Sequence, residues 1–193
     1  NLRGRLIHNI LTMKKINEIF YSLQGEGFYT GTAAIFIRFS GCNLKCDFCD
    51  TLHESGEFLS DEEILQKISL FESKHIVLTG GEPSLWIDEE FVGKLKSAGY
   101  YVQIETNGTH PIPQNVDWIT CSPKDAPLAI NKANELKVVF TSQSFVEKFT
   151  NFNSQHRFLQ PLSCGNTAEV VDYILKHPQW RMSLQTHKLI NIQ

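Results

Sequence analysis

Short runs rich in Ile, Val and Phe alternate along this chain with stretches whose apolar residues recur at helical spacing, a pattern that restricts it to an α/β fold with a parallel sheet. Ala33–Phe39 reads as a strand. Ser60-Asp61-Glu62-Glu63 then reads as a capping box opening a helix with Ile64, Leu65, Ile68 and Phe71 on one face. The pattern repeats at His75–Thr79, followed by a helix capped by Asp88, carrying Phe91, Val92, Leu95 and Ala98 inward and stopping at Gly99. Further strands are expected at Tyr100–Glu105, Trp118–Cys121, Glu135–Phe140, Arg157–Gln160 and Arg181–Gln185, with helices near 143–152 and 167–176. A β-like pattern also starts at Lys15-Ile16.

Right-handed crossovers between such strands lead toward a barrel, but a closed eight-fold barrel typically takes ~250 residues and this chain has 193. The expected class is therefore α/β, an incomplete (β/α) barrel of parallel strands. One crossover is expected to be reduced to a loop, because Thr106–Asp117 carries Pro111 and Pro113 and is too short and broken for a full helix. Residues 13–193 are expected to form one domain, and residues 1–12, ahead of the first Met, are read as an extension of unassigned role.

Composition narrows the function. With 41% hydrophobic and 20% charged residues the chain can bury a core, and a net charge of −3 without a basic cluster gives no footprint for nucleic acid or an anionic membrane. Small ligands are the expected partners. No run reaches the ~18 to 20 apolar residues of a bilayer span, and no secretory signal pattern opens the sequence, so a cytoplasmic protein is expected. Five cysteines cannot all pair, and three of them fall between Cys42 and Cys49, which favours metal binding over disulfides. Cys121 and Cys164 are expected to be buried as small apolar residues.

The distinctive polar residues follow the strands instead of preceding them, and in a parallel barrel they would gather at the carboxyl-end face. Cys42-Asn-Leu-Lys-Cys46-Asp-Phe-Cys49 sets three thiols on one loop, enough to wrap a metal centre while leaving a coordination position open. A zinc knuckle completed by His53 or Cys121 is the structural alternative. Thr79-Gly80-Gly81-Glu82-Pro83 allows close approach of backbone to a ligand and holds Glu82 extended, or is simply a Gly-Gly turn. Ser22-Leu-Gln-Gly-Glu-Gly27 is a glycine-rich loop carrying an amide and a carboxylate that can pair with the donor and acceptor groups of a ligand, or is simply a glycine-rich hairpin loop. Arg38 is a lone cation in an apolar strand, placed either to snorkel or to face an anion.

The C-x3-C-x2-C loop together with Gly-Gly-Glu-Pro resembles the radical S-adenosylmethionine superfamily. The loop at 22–27, Arg38 and Cys49-Asp50-Thr51 resemble the 7-carboxy-7-deazaguanine synthases within it, over about residues 14–193. The resemblance implies that Cys42, Cys46 and Cys49 hold a four-iron four-sulfur cluster whose open iron binds S-adenosylmethionine. Contacts to that cofactor are then implied for Phe48, Cys49, Asp50, Gly81 and Glu82, for Glu105 and Asn107, for Ser122, Pro123 and Lys124, and for Gln160, Pro161, Leu162 and Ser163. Substrate contacts are implied for Leu23, Gln24, Gly25, Glu26, Arg38, Thr79, His187 and Gln193, and a magnesium ligand for Thr51, whose hydroxyl suits a hard cation.

The implied reaction generates a 5'-deoxyadenosyl radical that takes hydrogen from 6-carboxy-5,6,7,8-tetrahydropterin, giving 7-carboxy-7-deazaguanine with loss of ammonia. The resemblance also implies a homodimer and a flavodoxin or ferredoxin reductant. Two alternatives stand beside it: an activase installing a glycyl radical on a partner protein, and a non-enzymatic zinc or electron-transfer module.

Overall fold

A computed structural model describes residues 13–49, 51, 53–162 and 165–193. The chain divides into two compact units built from interleaved segments: 13–21, 34–104 and 112–117 in the first, and 22–33, 105–111 and 118–193 in the second.

The first unit contains most of β1 (Lys14–Leu23), then β2 (Ala33–Phe39), β3 (Glu57–Leu59), α1 (Asp61–Ile68), β4 (His75–Gly80), a 3-10 turn (Pro83–Leu85), α2 (Glu89–Ser97) and the start of β5 (Tyr101–Thr106). Its strands run in the order β3-β1-β2-β4-β5. β2, β4 and β5 are parallel, and their apolar runs are buried on both faces: Ile35 and Ile37, Ile76 to Leu78, Val102 and Ile104 are all inaccessible. Ile64 and Ile68 of α1 and Phe91, Val92 and Leu95 of α2 are buried with them.

Both helix starts follow from local chemistry. Ser60 accepts from the Glu63 N–H while the Glu63 carboxylate accepts from the Ser60 N–H, and Asp88 accepts from the Phe91 N–H. Asp61 also takes both Lys14 (2.6 Å) and Lys94 (2.9 Å) as ion-pair partners, tying β1, α1 and α2 together.

The second unit contains β6 (Trp118–Cys121), β7 (Lys132–Phe140), α3 (Gln143–Glu147), β8 (Asn153–Pro161), α4 (Thr167–Lys176), β9 (Arg181–Met182) and α5 (Thr186–Leu189). β6, β7, β8 and β9 are consecutive and parallel. Leu136, Val138 and Phe140 of β7 join Leu159, Val170, Tyr173 and Trp180 in one core, and Cys121 is buried there as a small apolar residue, as expected. Cys164 lies outside the described residues.

Five details depart from the sequence reading, the first being that α1 ends at Ile68 and leaves Phe71 in the turn beyond it. β3 was not anticipated, and because it pairs antiparallel with β1 the first unit's sheet is mixed. Ala98 is exposed at the C-cap of α2 instead of facing inward. α3 stops at Glu147, where i→i−3 bonds from Phe149, Thr150 and Phe152 replace helical bonding and Arg157 donates to the carbonyls of Phe149 and Thr150. β9 ends at Met182 because the chain turns away, Thr186 donating through both its N–H and its hydroxyl to the Gly25 carbonyl at 2.9 Å.

Candidate active site

Within the first unit, the ends of parallel neighbours β2 and β4 carry the two motifs. Close approach of these ends depends on glycine. Gly80 has φ 119° and lies against the Phe39 backbone, and a Cβ on Gly81 would collide with the Gly41 carbonyl oxygen. Gly81 N–H donates to Phe39 O (3.0 Å) and Glu82 N–H to Gly41 O (2.9 Å), so the start of the cysteine loop and the Gly-Gly-Glu-Pro turn are stitched together. Glu82 is extended (φ −130°, ψ 105°), as its place before Pro83 predicts, and its carboxylate accepts from the Ser84 N–H and hydroxyl.

Cys42, Cys46 and Cys49 are free thiols on this loop. Burial raises the Cys42 pKa; the Leu44 N–H opposes it, while Glu82, Cys46 and Cys49 raise it further. The three sulfurs thus share one electrostatic neighbourhood, although among the described residues no three Cys, His, Asp or Glu side chains close on one point. A donor set of three thiols on one loop, none of them in a disulfide, fits a cationic metal cluster, whose charge favours the thiolates. Cys121, one of the two alternative fourth ligands, packs among apolar residues of the second unit's core. Phe48 is half-buried between the last two cysteines.

Arg38 does not snorkel to the surface. Its Nε donates to Glu18 at 2.7 Å, its guanidinium lies 5.6 Å from the Phe20 ring centroid, and Nη1 donates to the Thr51 hydroxyl at 3.4 Å. In the β2/β4 register Arg38 stands opposite Thr79. Glu18 was not singled out in the sequence, yet it fixes which edge of the guanidinium remains for a ligand.

Within the second unit, the loop at 22–27 is held from several directions. Gln24 is buried; its Nε2 donates to Glu105 (3.2 Å) and its Oε1 accepts from the Glu26 N–H (3.1 Å). The Glu26 carboxylate accepts from Lys137 (2.6 Å), Gln185 (2.8 Å) and Gln160 (3.4 Å). Burial alone would raise the Glu26 pKa, but Lys137, Gln185 and His187 together hold it below its ordinary value. The His187 ring packs on Gly25 where a side chain would otherwise sit, and Gln193 is tethered by the Ser22 hydroxyl donating to its carbonyl (2.6 Å). Leu23 is more exposed than its neighbours.

The remaining predicted residues follow the ends of β5, β6 and β8. Asn107 is buried and accepts from the Thr109 N–H and hydroxyl, making a turn that passes into Gly108 at φ 79°. Ser122 N–H donates to Thr106 O, and its hydroxyl accepts from Lys124. Pro123 and Pro161 are buried, and Leu162 N–H donates to Asn166 Oδ1. Gln160 keeps a buried Oε1 without a partner. Asp50 and Ser163 lie outside the described residues.

Sequence reasoning missed Glu135 and Lys137, both buried on β7. Glu135 Oε2 accepts from the Phe28 N–H (3.2 Å) and the Thr120 hydroxyl (3.4 Å), while Oε1 lies against Gly27 without a partner. Burial, then the charge of Glu105, raises the Glu135 pKa from 4.5 to about 7, against the pull of Lys137. A folded-state pKa above the unfolded one means that this carboxyl is harmless below about pH 4.5 and destabilising as pH rises through about 7. Glu135→Gln is therefore expected to match the parent near pH 4 and to exceed it near pH 8 by on the order of 2–3 kcal/mol, read from denaturant unfolding at each pH.

The model of the radical SAM superfamily matches residues 36–133, which contain the cysteine loop, Gly-Gly-Glu-Pro and the motifs after β5 and β6. The 7-carboxy-7-deazaguanine synthase of Bacteroides thetaiotaomicron is 57% identical over 182 residues, covering 94% of this chain and all of that protein. This chain belongs to the 7-carboxy-7-deazaguanine synthase family. The synthase of Bordetella pertussis is 40% identical, with 92% of this chain and 98% of that protein covered. The crystal structure of QueE from Escherichia coli superposes with a TM-score of 0.78 at 29% identity, covering 94% of this chain and 98% of that one. The fold is accordingly the α/β, incomplete-barrel radical SAM type expected, and the family implies a four-iron four-sulfur cluster, S-adenosylmethionine and magnesium. Membership in the synthase family selects that reading over the activase and the zinc or electron-transfer module. Among the described residues no helix is long and apolar enough to cross a membrane.

Proposed function

We propose that this chain is a 7-carboxy-7-deazaguanine synthase, a radical SAM lyase that converts 6-carboxy-5,6,7,8-tetrahydropterin to 7-carboxy-7-deazaguanine with loss of ammonia, on the route to queuosine and other 7-deazapurines. The observation that carries this reading is the setting of Arg38: aimed by Glu18, bonded to the Thr51 hydroxyl and level with Thr79. A guanidinium held through Nε and by one Nη1 N–H still has its other terminal N–H groups to offer a carboxylate, and the substrate has one at C6. The Thr51 oxygen beside it ligates magnesium, a hard cation that compensates the same negative charge.

Cys42, Cys46 and Cys49 hold the cluster, and Gly81 and Glu82 receive the methionine amino group of S-adenosylmethionine. Phe48 packs near its adenine, and the residues after β5, β6 and β8 contact the rest of it. When bound, cluster and S-adenosylmethionine supply the carbon radical that removes hydrogen from the pterin. The side chains bind, orient and shield. Gln24, Glu26 and the chain around Gly25 shape the pterin loop, with His187 and Gln193 closing it. By family resemblance the enzyme is a cytoplasmic homodimer reduced by a flavodoxin or ferredoxin.

Thr51→Ala tests the metal and substrate assignment together. In the reconstituted enzyme the variant is expected to lose at least about tenfold in kcat/KM for 6-carboxytetrahydropterin, with part of the loss recovered at high magnesium. An unchanged magnesium requirement and unchanged turnover would remove Thr51 from the site.

A further inference from the structure

The sequence of β7 holds two charges where a central parallel strand has no evident use for them. Leu136, Val138 and Phe140 face the second unit's core, while Glu135 and Lys137 occupy the alternate positions. The Lys137 side chain is 6% exposed. Burying an ammonium costs several kcal/mol, and an apolar side chain of similar volume is often neutral or better for stability, so packing alone does not account for this lysine.

Its contacts do. Lys137 Nζ donates to Glu26 Oε2 at 2.6 Å and to Glu105 Oε2 at 2.9 Å. The Glu26 N–H donates to Gln24 Oε1, and Gln24 Nε2 donates to Glu105 Oε1. These four bonds form a closed ring: Lys137 to Glu26, Glu26 backbone to Gln24, Gln24 to Glu105, and Glu105 back to Lys137. The ring fixes the Gln24 amide, with its oxygen toward Glu26 and its nitrogen toward Glu105. One strand lysine thereby orients the polar groups of the loop at 22–27 and of the motif that follows β5.

We propose that Lys137 is a positioning residue for pterin binding, its ammonium holding Glu26 and Glu105 in the arrangement that gives the loop at 22–27 its ligand-ready shape. The inference rests on the reading of that loop as the pterin site. Without Lys137, two carboxylates with only 17% and 15% of their side chains exposed lose their shared counter-charge beside a third, the buried Glu135. As pH rises their mutual repulsion grows and pulls the loop apart, with His187 left as the charge that attracts Glu26.

The test uses reconstituted holoenzyme with S-adenosylmethionine and magnesium, measuring KM and kcat for 6-carboxytetrahydropterin from pH 6 to pH 9. Lys137→Met is expected to raise KM about tenfold or more at pH 8 with a smaller change in kcat, and the increase is expected to shrink toward pH 6. Adding Glu26→Gln to Lys137→Met removes one carboxylate and is expected to flatten that pH dependence. Lys137→Arg, which keeps the charge, covers the case in which Lys137→Met does not fold, and is expected to retain a pH-independent KM within a fewfold of the parent. A KM for folded Lys137→Met equal to the parent's at every pH overturns the proposal, as does a Lys137→Arg KM that climbs with pH despite the retained charge. Parent enzyme that never turns over the pterin overturns the functional reading itself, whatever the variants do.

Discussion

Cys46→Ala is expected to leave a folded protein that neither holds the iron–sulfur cluster nor turns over. In the proposed assignment Cys42, Cys46 and Cys49 are the three ligands of a cluster that needs all three, and among the described residues no fourth donor joins them as a spare. The Cys46 backbone carbonyl accepts from the Cys49 N–H at 3.0 Å, a bond that alanine preserves. The residue is only half-buried, so stability without metal should change by about 0.5 kcal/mol or less. Iron and sulfide content per chain, cluster absorbance and product formation should fall together to background, while the unfolding midpoint of the metal-free protein stays put. A variant with the full iron content of the parent would contradict the ligand assignment.

Gly81→Ala is expected to damage stability and cofactor binding at once. A Cβ there would overlap the Gly41 carbonyl oxygen, which is backbone and already accepts from the Glu82 N–H. Neither partner can step aside. Gly41 follows β2, whose last residue Phe39 is paired with Gly80, so relief requires the carboxyl ends of β2 and β4 to separate. A loss of about 2–3 kcal/mol is expected from denaturant unfolding. S-adenosylmethionine affinity should drop at least about tenfold by calorimetry, since the turn that positions Glu82 is displaced. Gly93→Ala is the matched control: it lies within α2, its nearest atom to a new Cβ is Asn115 Nδ2 at 3.8 Å, and alanine is the better helix former. It should be neutral or stabilising.

What the sequence made legible was local. The Ser60/Glu63 box, the Asp88 cap and the glycine stop at Gly99 (φ 86°) each depend on a few neighbouring residues, and each stands as read. β3 was illegible because three residues carry no period; it exists only as the partner of Lys14 to Ile16. β9 was overextended because the pull on Thr186 comes from Gly25, 161 residues away.

The same distance effect governed the site. The cysteine loop and Gly-Gly-Glu-Pro are contiguous motifs and could be found by inspection, whereas the Lys137–Glu26 pair spans 111 residues. A usable signal did exist. Glu135-Leu-Lys137 alternates charge with apolar residues like a half-exposed strand, yet β7 lies between parallel neighbours β6 and β8. Charges at such a position are buried and need partners. The carboxylates that answer Lys137 were each noted in the sequence for another reason.

The measurement that bears most directly on the central claim is anaerobic conversion by the parent enzyme. Reconstituted protein would be supplied with reductant, S-adenosylmethionine, magnesium and 6-carboxy-5,6,7,8-tetrahydropterin, and products followed by mass spectrometry. The expected result is 7-carboxy-7-deazaguanine accumulating beyond the amount of enzyme supplied. Cleavage of S-adenosylmethionine with no deazapurine, under conditions where the Bacteroides thetaiotaomicron synthase forms it, would contradict the proposed function.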